Sequence, residues 1–202
     1  MTQVFTERGT AVAVTVLEAD GCQVVQRKTA AIDGYDALQI GLGERSPKRT
    51  TKALLGHFKR AGVTPQRTLA ELRDAGDIPV GTRLNVDMFA AGQRIDVSGV
   101  SHGKGFSGQH KRHNFKRGPV SHGSHNIKQP GSIGSTDAAR VFRGLRMAGH
   151  LGNQQATTRH LEVVRVDTGR NLLLVKGAVP GPRNGIVLVR DSDRSASLAE
   201  SS

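Results

Sequence analysis

Histidines and basic side chains are crowded into one short stretch of this 202-residue chain, and both types can bind ligands. Two histidine pairs, His110 with His113 and His122 with His125, have an H-x-x-H spacing that can hold zinc. Between His102 and His125 the chain contains five lysines and arginines but no cysteine, aspartate or glutamate. Because these cations would repel a metal ion, we expect no metal site here. We expect the imidazoles to donate hydrogen bonds to phosphate or ribose oxygens instead.

An enzyme site in the same stretch would lack acidic partners. The segment GKGFSG, Gly103–Gly108, matches the G-x-G-x-x-G pattern of dinucleotide sites, but a poor helix follows it and the next acid is Asp137. The serine–histidine pairs nearby have only that one acid to complete a catalytic set. We therefore predict no enzyme activity and no cofactor. An enzyme that acts on RNA through these histidines is the least favoured alternative.

Positive charge is concentrated in the same third of the chain. The formal net charge is +12 and the pI is about 10.8. Between Val97 and Leu161, ten lysines and arginines stand against one acid, Asp137, which leaves a charge of +9. Such a block is typical of proteins with a polyanionic partner, so the composition favours RNA, DNA or an anionic membrane surface.

RNA is the favoured partner on physical grounds. Ordering the backbone costs about 1–2 kcal/mol per residue, and the block has few apolar side chains whose burial would offset that cost. Contacts between its cations and phosphates release condensed counterions instead. Its only candidates for base stacking are Phe106, Phe115 and Phe142, so we predict recognition of folded RNA through shape and backbone. Duplex DNA is less favoured because the block contains no amphipathic recognition helix.

Valine-rich segments before and after the block predict the fold that carries it. Ala11–Ala19, Cys22–Thr29 and Ala37–Gly43 are predicted as three antiparallel strands, with a hairpin turn at Asp20-Gly21. Many short strands joined by glycine turns are typical of a barrel or a sandwich, so the predicted class is mainly β. Further strands are predicted at Thr82–Ala90, Gln93–Gly99, Leu161–Val166, Asn171–Gly177 and Ile186–Arg190.

Helices are predicted as a small insertion at about residues 50–76. The first helix carries Leu54 and Phe58 at helical spacing and stops at Gly62, and the second begins at Thr64 with a proline at its first position. The segment Arg140–Asn153 is predicted as a short basic helix-like element.

The predicted domain organisation follows from these elements. It assigns residues 1–96 to the first part of the β core, 97–160 to a basic extension, 161–190 to returning strands and 191–202 to a disordered tail. The one cysteine, Cys22, is predicted to be a small buried residue. No secretory signal opens the chain, and no apolar run approaches the ~20 residues that span a bilayer, so we expect a soluble intracellular protein.

A specific pattern of residues joins the core to the extension. Its members, at fixed spacing, are Phe89, Asp96, Gly99, Ser101, Gly103, Lys104, Gly105, Gly108 and Arg112. With later segments, this pattern resembles the signature of the bacterial-type large-subunit ribosomal protein L-three family. Those segments are Lys111–Phe115, Ser121–Gly123, Pro130–Gly134, Arg140–Asn153 and Asn171–Gly181. The resemblance covers nearly the whole chain.

The resemblance implies a translation-protein-type β-barrel with a helical insertion and a long basic extended loop whose tip lies near Ser132–Asp137. It implies a non-enzymatic structural constituent of the large ribosomal subunit in the cytoplasm. Such a protein binds large-subunit rRNA, contacts neighbouring large-subunit proteins and supports assembly and the peptidyl-transferase region. Carried over onto this sequence, and with Lys128 of the same block, the predicted rRNA-binding residues are Lys104, Lys111, Arg112, Asn114, Lys116, Arg117, His122, Lys128, Arg140, Arg143, Arg146 and Asn153.

Two departures from the family pattern leave a second interpretation open. The family usually has a short glycine- and lysine-containing strand before the segment that Met1-Thr2 resembles, whereas Met1 is the first residue of this sequence. Some bacterial members have a methylated glutamine after the Pro130–Gly134 motif, where this chain has Ser135 and Asp137, so that modification is not carried over. The alternative function is an RNA-binding paralogue that acts as an assembly factor or regulator outside mature ribosomes.

Overall fold

The fold comes from a computed structural model that describes residues 1–19, 21–73, 76–134 and 136–192. The chain divides into two compact units. The first contains residues 1–95, 160–178 and the described end of the chain at 191–192, and the second contains residues 96–159 and 179–190. The part of the second unit from Asp96 to Arg159 is called the extension below.

Strands make up most of the regular structure, and the predicted mainly-β class is confirmed. The strands are β1 Thr2–Phe5, β2 Ala11–Glu18, β3 Gln23–Lys28, β4 Ala37–Glu44, β5 Gln66–Arg73, β6 Arg94–Val100, β7 Phe106–Ser107, β8 Gly149–His150, β9 Gln155–Asp167, β10 Leu172–Lys176 and β11 Val187–Asp191. The helices are α1 Ala30–Asp33, α2 Lys52–Ala61 and α3 Gln109–His113, with short 3₁₀ turns at Pro47–Arg49, Val86–Met88 and Thr136–Ala138. Within the described ranges, no helix is long and apolar enough to cross a membrane.

The strands form open sheets in each unit. In the first unit β1, β2, β10 and β9 are neighbours in that order, and β3, β4 and β5 form a separate antiparallel sheet. In the second unit the order is β9-β6-β11, and β7 pairs with β8. The described strands do not close into a barrel in either unit, so the barrel that the resemblance implies is present here only as open sheets.

The apolar core belongs almost entirely to the first unit. Its fully buried side chains include Val14, Val24, Phe58, Ile95 and Val175, whereas Val97, at the start of the extension, is the one buried apolar residue described in the second unit. The extension thus contributes little apolar burial, as its composition predicts. Cys22, which was predicted to be buried, is half-buried, and this burial raises the pKa of its thiol.

The predicted hairpin between the second and third strands is wrong. β2 pairs with β1 and β10, whereas β3 pairs with β4 in the other sheet. In the β2–β10 pair Leu17 lies opposite Leu173 and Thr15 opposite Val175. Pairing of β2 with the apolar strand β10 is thus favoured over the hairpin that the turn signal at Asp20-Gly21 predicts. Asp20 itself lies outside the described residues.

The helical insertion contains one helix where two were predicted. α2 forms as expected: Phe58 is its buried residue, and Gly62 ends it in the left-handed conformation. The second predicted helix is wrong, because Gln66–Arg73 forms strand β5 and pairs with β4. Pairing with β4 overrides helix propensity here, and the Gln66 side chain packs so closely over Gly41 that a Cβ there would lie 2.6 Å from its Cγ.

Elsewhere the predicted strands near 93–99, 161–166, 171–177 and 186–190 are confirmed by β6, β9, β10 and β11. The strand predicted at Thr82–Ala90 is wrong: only Arg83 forms a bridge, and a 3₁₀ turn follows. In that turn Val86 is buried and its N–H donates to Asn171 Oδ1 at 2.9 Å, which satisfies the backbone without a strand partner.

The tail prediction is wrong for its first two residues. Asp191 belongs to β11, and Ser192 is buried. Residues 193–202 of the predicted tail lie outside the described residues.

A polar cluster connects β3 and β5 across the three-stranded sheet. Lys28 Nζ donates to Glu71 Oε1 at 2.6 Å and to the Tyr35 hydroxyl at 2.7 Å, and that hydroxyl donates to Glu71 Oε2 at 2.8 Å. The hydrogen bonds from Lys28 and then Tyr35 lower the pKa of Glu71 below its ordinary value of 4.5. The same contact with Glu71 raises the pKa of Lys28.

This cluster predicts a pH-dependent contribution to stability. A carboxyl whose pKa is lowered by folding stabilises the protein above its ordinary pKa, and it loses that contribution as the pH falls through the folded value. We expect wild type to exceed Glu71→Gln in unfolding free energy at neutral pH and the difference to vanish in the acid range below 4.5. Urea unfolding over a pH series measures this difference. Tyr35→Phe removes one of the hydrogen bonds that lower the pKa of Glu71, so the stabilisation by Glu71 should be lost at a higher pH than in wild type. A pH-independent difference for Glu71→Gln would contradict the cluster's role.

Candidate nucleic-acid interface

Backbone hydrogen bonds tie the outgoing and returning limbs of the extension together at its root. Ser101 N–H donates to Gln154 O at 2.9 Å, and Asn153 N–H donates back to Ser101 O at 3.0 Å. Further out, Lys104 N–H donates to Leu151 O at 2.9 Å and Leu151 N–H donates to Gly105 O at 3.0 Å. The root therefore has a polar framework that takes the place of an apolar core.

A side-chain latch continues this framework beyond the root. Arg112, at the end of α3, donates from Nη1 to Met147 O at 2.9 Å, and His113 Nε2 contacts the same carbonyl at 3.1 Å. The guanidinium also lies against Gly149, where a Cβ would be 2.6 Å from Nη1. One half-buried arginine thus connects both limbs, and a side chain at position 149 would displace its guanidinium from this place.

Two further glycines allow the backbone segments of the extension to approach closely. A Cβ at Gly152 would lie 2.1 Å from His102 O, and its φ of +74° is one that residues with a side chain rarely adopt. A Cβ at Gly118 would lie 2.0 Å from Asn126 O, where the chain doubles back and Gly118 N–H donates to Ile127 O. The glycine content of the extension thus has a steric cause at these positions.

Past the latch the extension is mostly turns and irregular backbone, with a 3₁₀ turn at Thr136–Ala138. The helix-like element predicted at Arg140–Asn153 is wrong, since a turn occupies Arg143-Gly144 and β8 follows. Its apolar side chains, such as Val141 and Leu145, remain exposed, so no packing surface stabilises a helix there.

Eleven of the twelve predicted rRNA-binding residues have exposed side chains. Arg112 is the exception, because it is half-buried in the latch. The exposed residues are Lys104, Lys111, Asn114, Lys116, Arg117, His122, Lys128, Arg140, Arg143, Arg146 and Asn153. Asn114, His122 and Asn153 adopt positive φ, which turns the backbone sharply at these three positions.

The exposed cations face almost no acidic side chains within the extension. From 97 to 159 the sequence contains one carboxylate, Asp137, which is exposed in its 3₁₀ turn. By contrast, Asp77, Glu71 and Glu162 of the first unit form ion pairs with Arg27, Lys28 and Lys176. The extension therefore presents a positive surface whose charges suit the phosphates of a nucleic acid.

The sequence did not reveal the residues that shape this surface. The latch depends on the carbonyl of Met147 and the missing side chain of Gly149, and neither has a chemical signature in the sequence. Ser101 is similar: its hydroxyl donates to Gln154 O at 3.0 Å. The available signal was the density of glycines and of small polar residues between the cations.

Comparison with known proteins now decides the family. Residues 68–172 match the family described as Ribosomal protein L3. The protein named large ribosomal subunit protein uL3 in Heliobacterium modesticaldum is 51% identical over 194 residues, which cover 95% of this chain and 92% of that protein. The chain belongs to the ribosomal protein L3 family. The uL3 proteins of Pelotomaculum thermopropionicum and Carboxydothermus hydrogenoformans are each 49% identical and cover 96% and 95% of this chain and 94% and 93% of their own lengths.

Membership of the L3 family confirms several of the predictions made from the sequence. The protein is a structural constituent of the large ribosomal subunit, it functions in translation as an rRNA-binding protein of the cytoplasmic ribosome, and it is not an enzyme. As a part of that subunit it associates with rRNA and with other ribosomal proteins.

Proposed function

We propose that the exposed cations of the extension bind the phosphate backbone of large-subunit rRNA. One observation carries this proposal: eight lysines and arginines of the predicted set are exposed on an extension whose carboxylates are Asp96, its first residue, and Asp137. Such cations release counterions from phosphates, and the exposed Asn114, His122 and Asn153 add hydrogen-bond donors for backbone oxygens.

Arg112 has a different role in this proposal. Its guanidinium already donates to Met147 O and packs on Gly149, so it holds the two limbs in the spacing at which the exposed cations meet the RNA. It acts as a positioning residue, and the other eleven residues make the contacts.

The extension is also the part of the protein that we propose supports subunit assembly and the peptidyl-transferase region. This proposal rests on the family resemblance together with the positive charge and scarce apolar burial of the extension. The first unit, with its apolar core, then meets neighbouring ribosomal proteins.

Removal of one contact cation tests the binding proposal. We expect Arg143→Gln to weaken binding to transcribed large-subunit rRNA and to reduce the slope of log affinity against log salt by about 1, because one phosphate contact is lost. Arg60→Gln, which removes an exposed arginine of α2 in the first unit, is the matched control and should leave the slope unchanged. Equal effects of the two substitutions would refute a binding surface confined to the extension.

A further inference from the structure

β7 and β8 form a two-stranded ribbon with one face turned into the extension. Ser107 lies opposite Gly149 in this ribbon. Ser107 is buried and donates from its hydroxyl to Lys104 O at 3.2 Å, and the Arg112 guanidinium covers Gly149. This face is therefore closed to a ligand.

The opposite face of the ribbon carries two aromatic rings. Phe106 lies opposite His150, and because successive side chains alternate between faces, both point away from Ser107 and Gly149. Phe106 is 81% exposed, and His150 is exposed as well. Residues directly opposite in an antiparallel pair have Cβ atoms about 4.5–5.5 Å apart, so the two side chains leave the same face of the ribbon at neighbouring positions.

The exposed charged residues that flank Phe106 in the sequence indicate what covers the rings. Lys104 precedes Phe106 by two residues and Lys111 follows it by five, and both are exposed. A nucleobase suits such a surface, since it offers a flat π-face to the rings and carries phosphates for the neighbouring cations. An apolar protein surface would instead have to desolvate those cations without neutralising them.

We propose that Phe106 and His150 form a stacking platform for an unpaired base of large-subunit rRNA. The proposal rests on the proposed rRNA-binding function and adds a base contact to a surface that otherwise binds phosphates. The latch gives the platform its rigidity, because Arg112 holds Gly149 and therefore the strand that carries His150. Phe142 is the less suitable ring, since Arg140 already lies over it at 5.5 Å from the ring centroid.

The test compares ring removal at two exposed phenylalanines. With transcribed large-subunit rRNA as the probe, we expect Phe106→Ala to lower affinity about tenfold with an unchanged salt slope, since a stacked base and no phosphate is lost. Phe106→Tyr should bind like wild type, and Phe106→Leu should not. Phe5→Ala, which removes a 65% exposed ring of β1 in the first unit, is the matched control and should have no effect.

The outcomes separate this proposal from the one on which it rests. If wild type binds with a steep salt dependence and Phe106→Ala binds equally well, the platform is wrong and the rRNA-binding surface stands. If Phe106→Leu binds like wild type, the contact is apolar and the stacking proposal is overturned. If the affinity of wild type for rRNA does not depend on salt, the phosphate-binding proposal is wrong, and the platform proposal that rests on it fails as well.

A second measurement uses the unmodified chain and does not depend on any variant folding. Large subunits that contain the protein are irradiated at short ultraviolet wavelength, and crosslinked peptides are identified by mass spectrometry. A nucleotide crosslinked to Phe106 or His150 supports the platform. Crosslinks of the extension that spare both residues, or a crosslink from either to another ribosomal protein, overturn it.

Discussion

Gly152→Ala is expected to open the root of the extension, with a loss of roughly 2–5 kcal/mol in local stability. Two effects add up at this position. The left-handed backbone at φ +74° disfavours a side chain, and the new Cβ would lie 2.1 Å from the carbonyl oxygen of His102. Because backbone surrounds the site, no side-chain movement relieves the contact, and the hydrogen bonds that join Ser101 to Asn153 and Gln154 must break.

Hydrogen exchange of the Ser101 and Asn153 amides measures this loss, because both donate across the root. Gly144→Ala is the matched control: its φ of +82° carries the same backbone cost, but nothing lies within 4 Å of the added Cβ. We expect it to leave root exchange unchanged. If both substitutions changed root exchange equally, the close approach at Gly152 would have no energetic importance.

The second large effect concerns charge position at constant net charge. One variant replaces five extension cations by glutamine, and the other replaces five exposed cations of the first unit, so both carry +7 where the wild type has +12. The extension variant changes Lys104, Lys111, Lys116, Arg117 and Arg143, and the control changes Arg8, Arg49, Lys52, Lys59 and Arg60. General attraction to a polyanion predicts equal effects, whereas defined phosphate contacts predict a large difference.

We expect the slope of log affinity against log salt to be smaller by about 4–5 in the extension variant than in wild type. Near 0.2 M salt, its affinity should be lower by a factor on the order of 10³. The control variant should keep the wild-type slope. Titration of labelled large-subunit rRNA over a series of salt concentrations gives both quantities. A control variant that lost as much as the extension variant would mean that net charge alone governs binding.

The composition of the extension allowed its main property to be predicted. A segment with ten cations, two acids and few apolar residues cannot bury a core, and in the structure Val97 is its one buried apolar side chain among those described. The exposure of the predicted cations follows from the same cause, since a solvated charge has no reason to be buried without a partner.

Pairing across the sheets could not be read from local patterns. The turn signal at Asp20-Gly21 predicted a hairpin, but β10, more than 150 residues further along, is the actual partner of β2. In the second predicted helix, Leu69 and Leu72 have the i, i+3 spacing of one helix face, but pairing with β4 made this segment a strand, which places them on opposite faces. Local propensities differ by fractions of a kcal/mol per residue, which long-range pairing readily exceeds.

Arg112 shows a different limit of sequence-based prediction. Its type and its position in the basic block predicted an rRNA contact, yet its partners are the carbonyl of Met147 and the space above Gly149. Backbone acceptors and absent side chains leave no chemical signature in a sequence, so an arginine that positions the chain looks the same as one that binds a phosphate.

Hydrogen exchange of the full-length protein, free and bound to large-subunit rRNA, tests the central claim most directly. We predict that binding increases protection between Lys111 and Arg146, that the root amides of Lys104 and Leu151 are protected in both states, and that β2, β4 and β10 change little. An increase confined to the strands of the first unit, with the extension unchanged, would contradict the claim that the extension is the rRNA-binding surface.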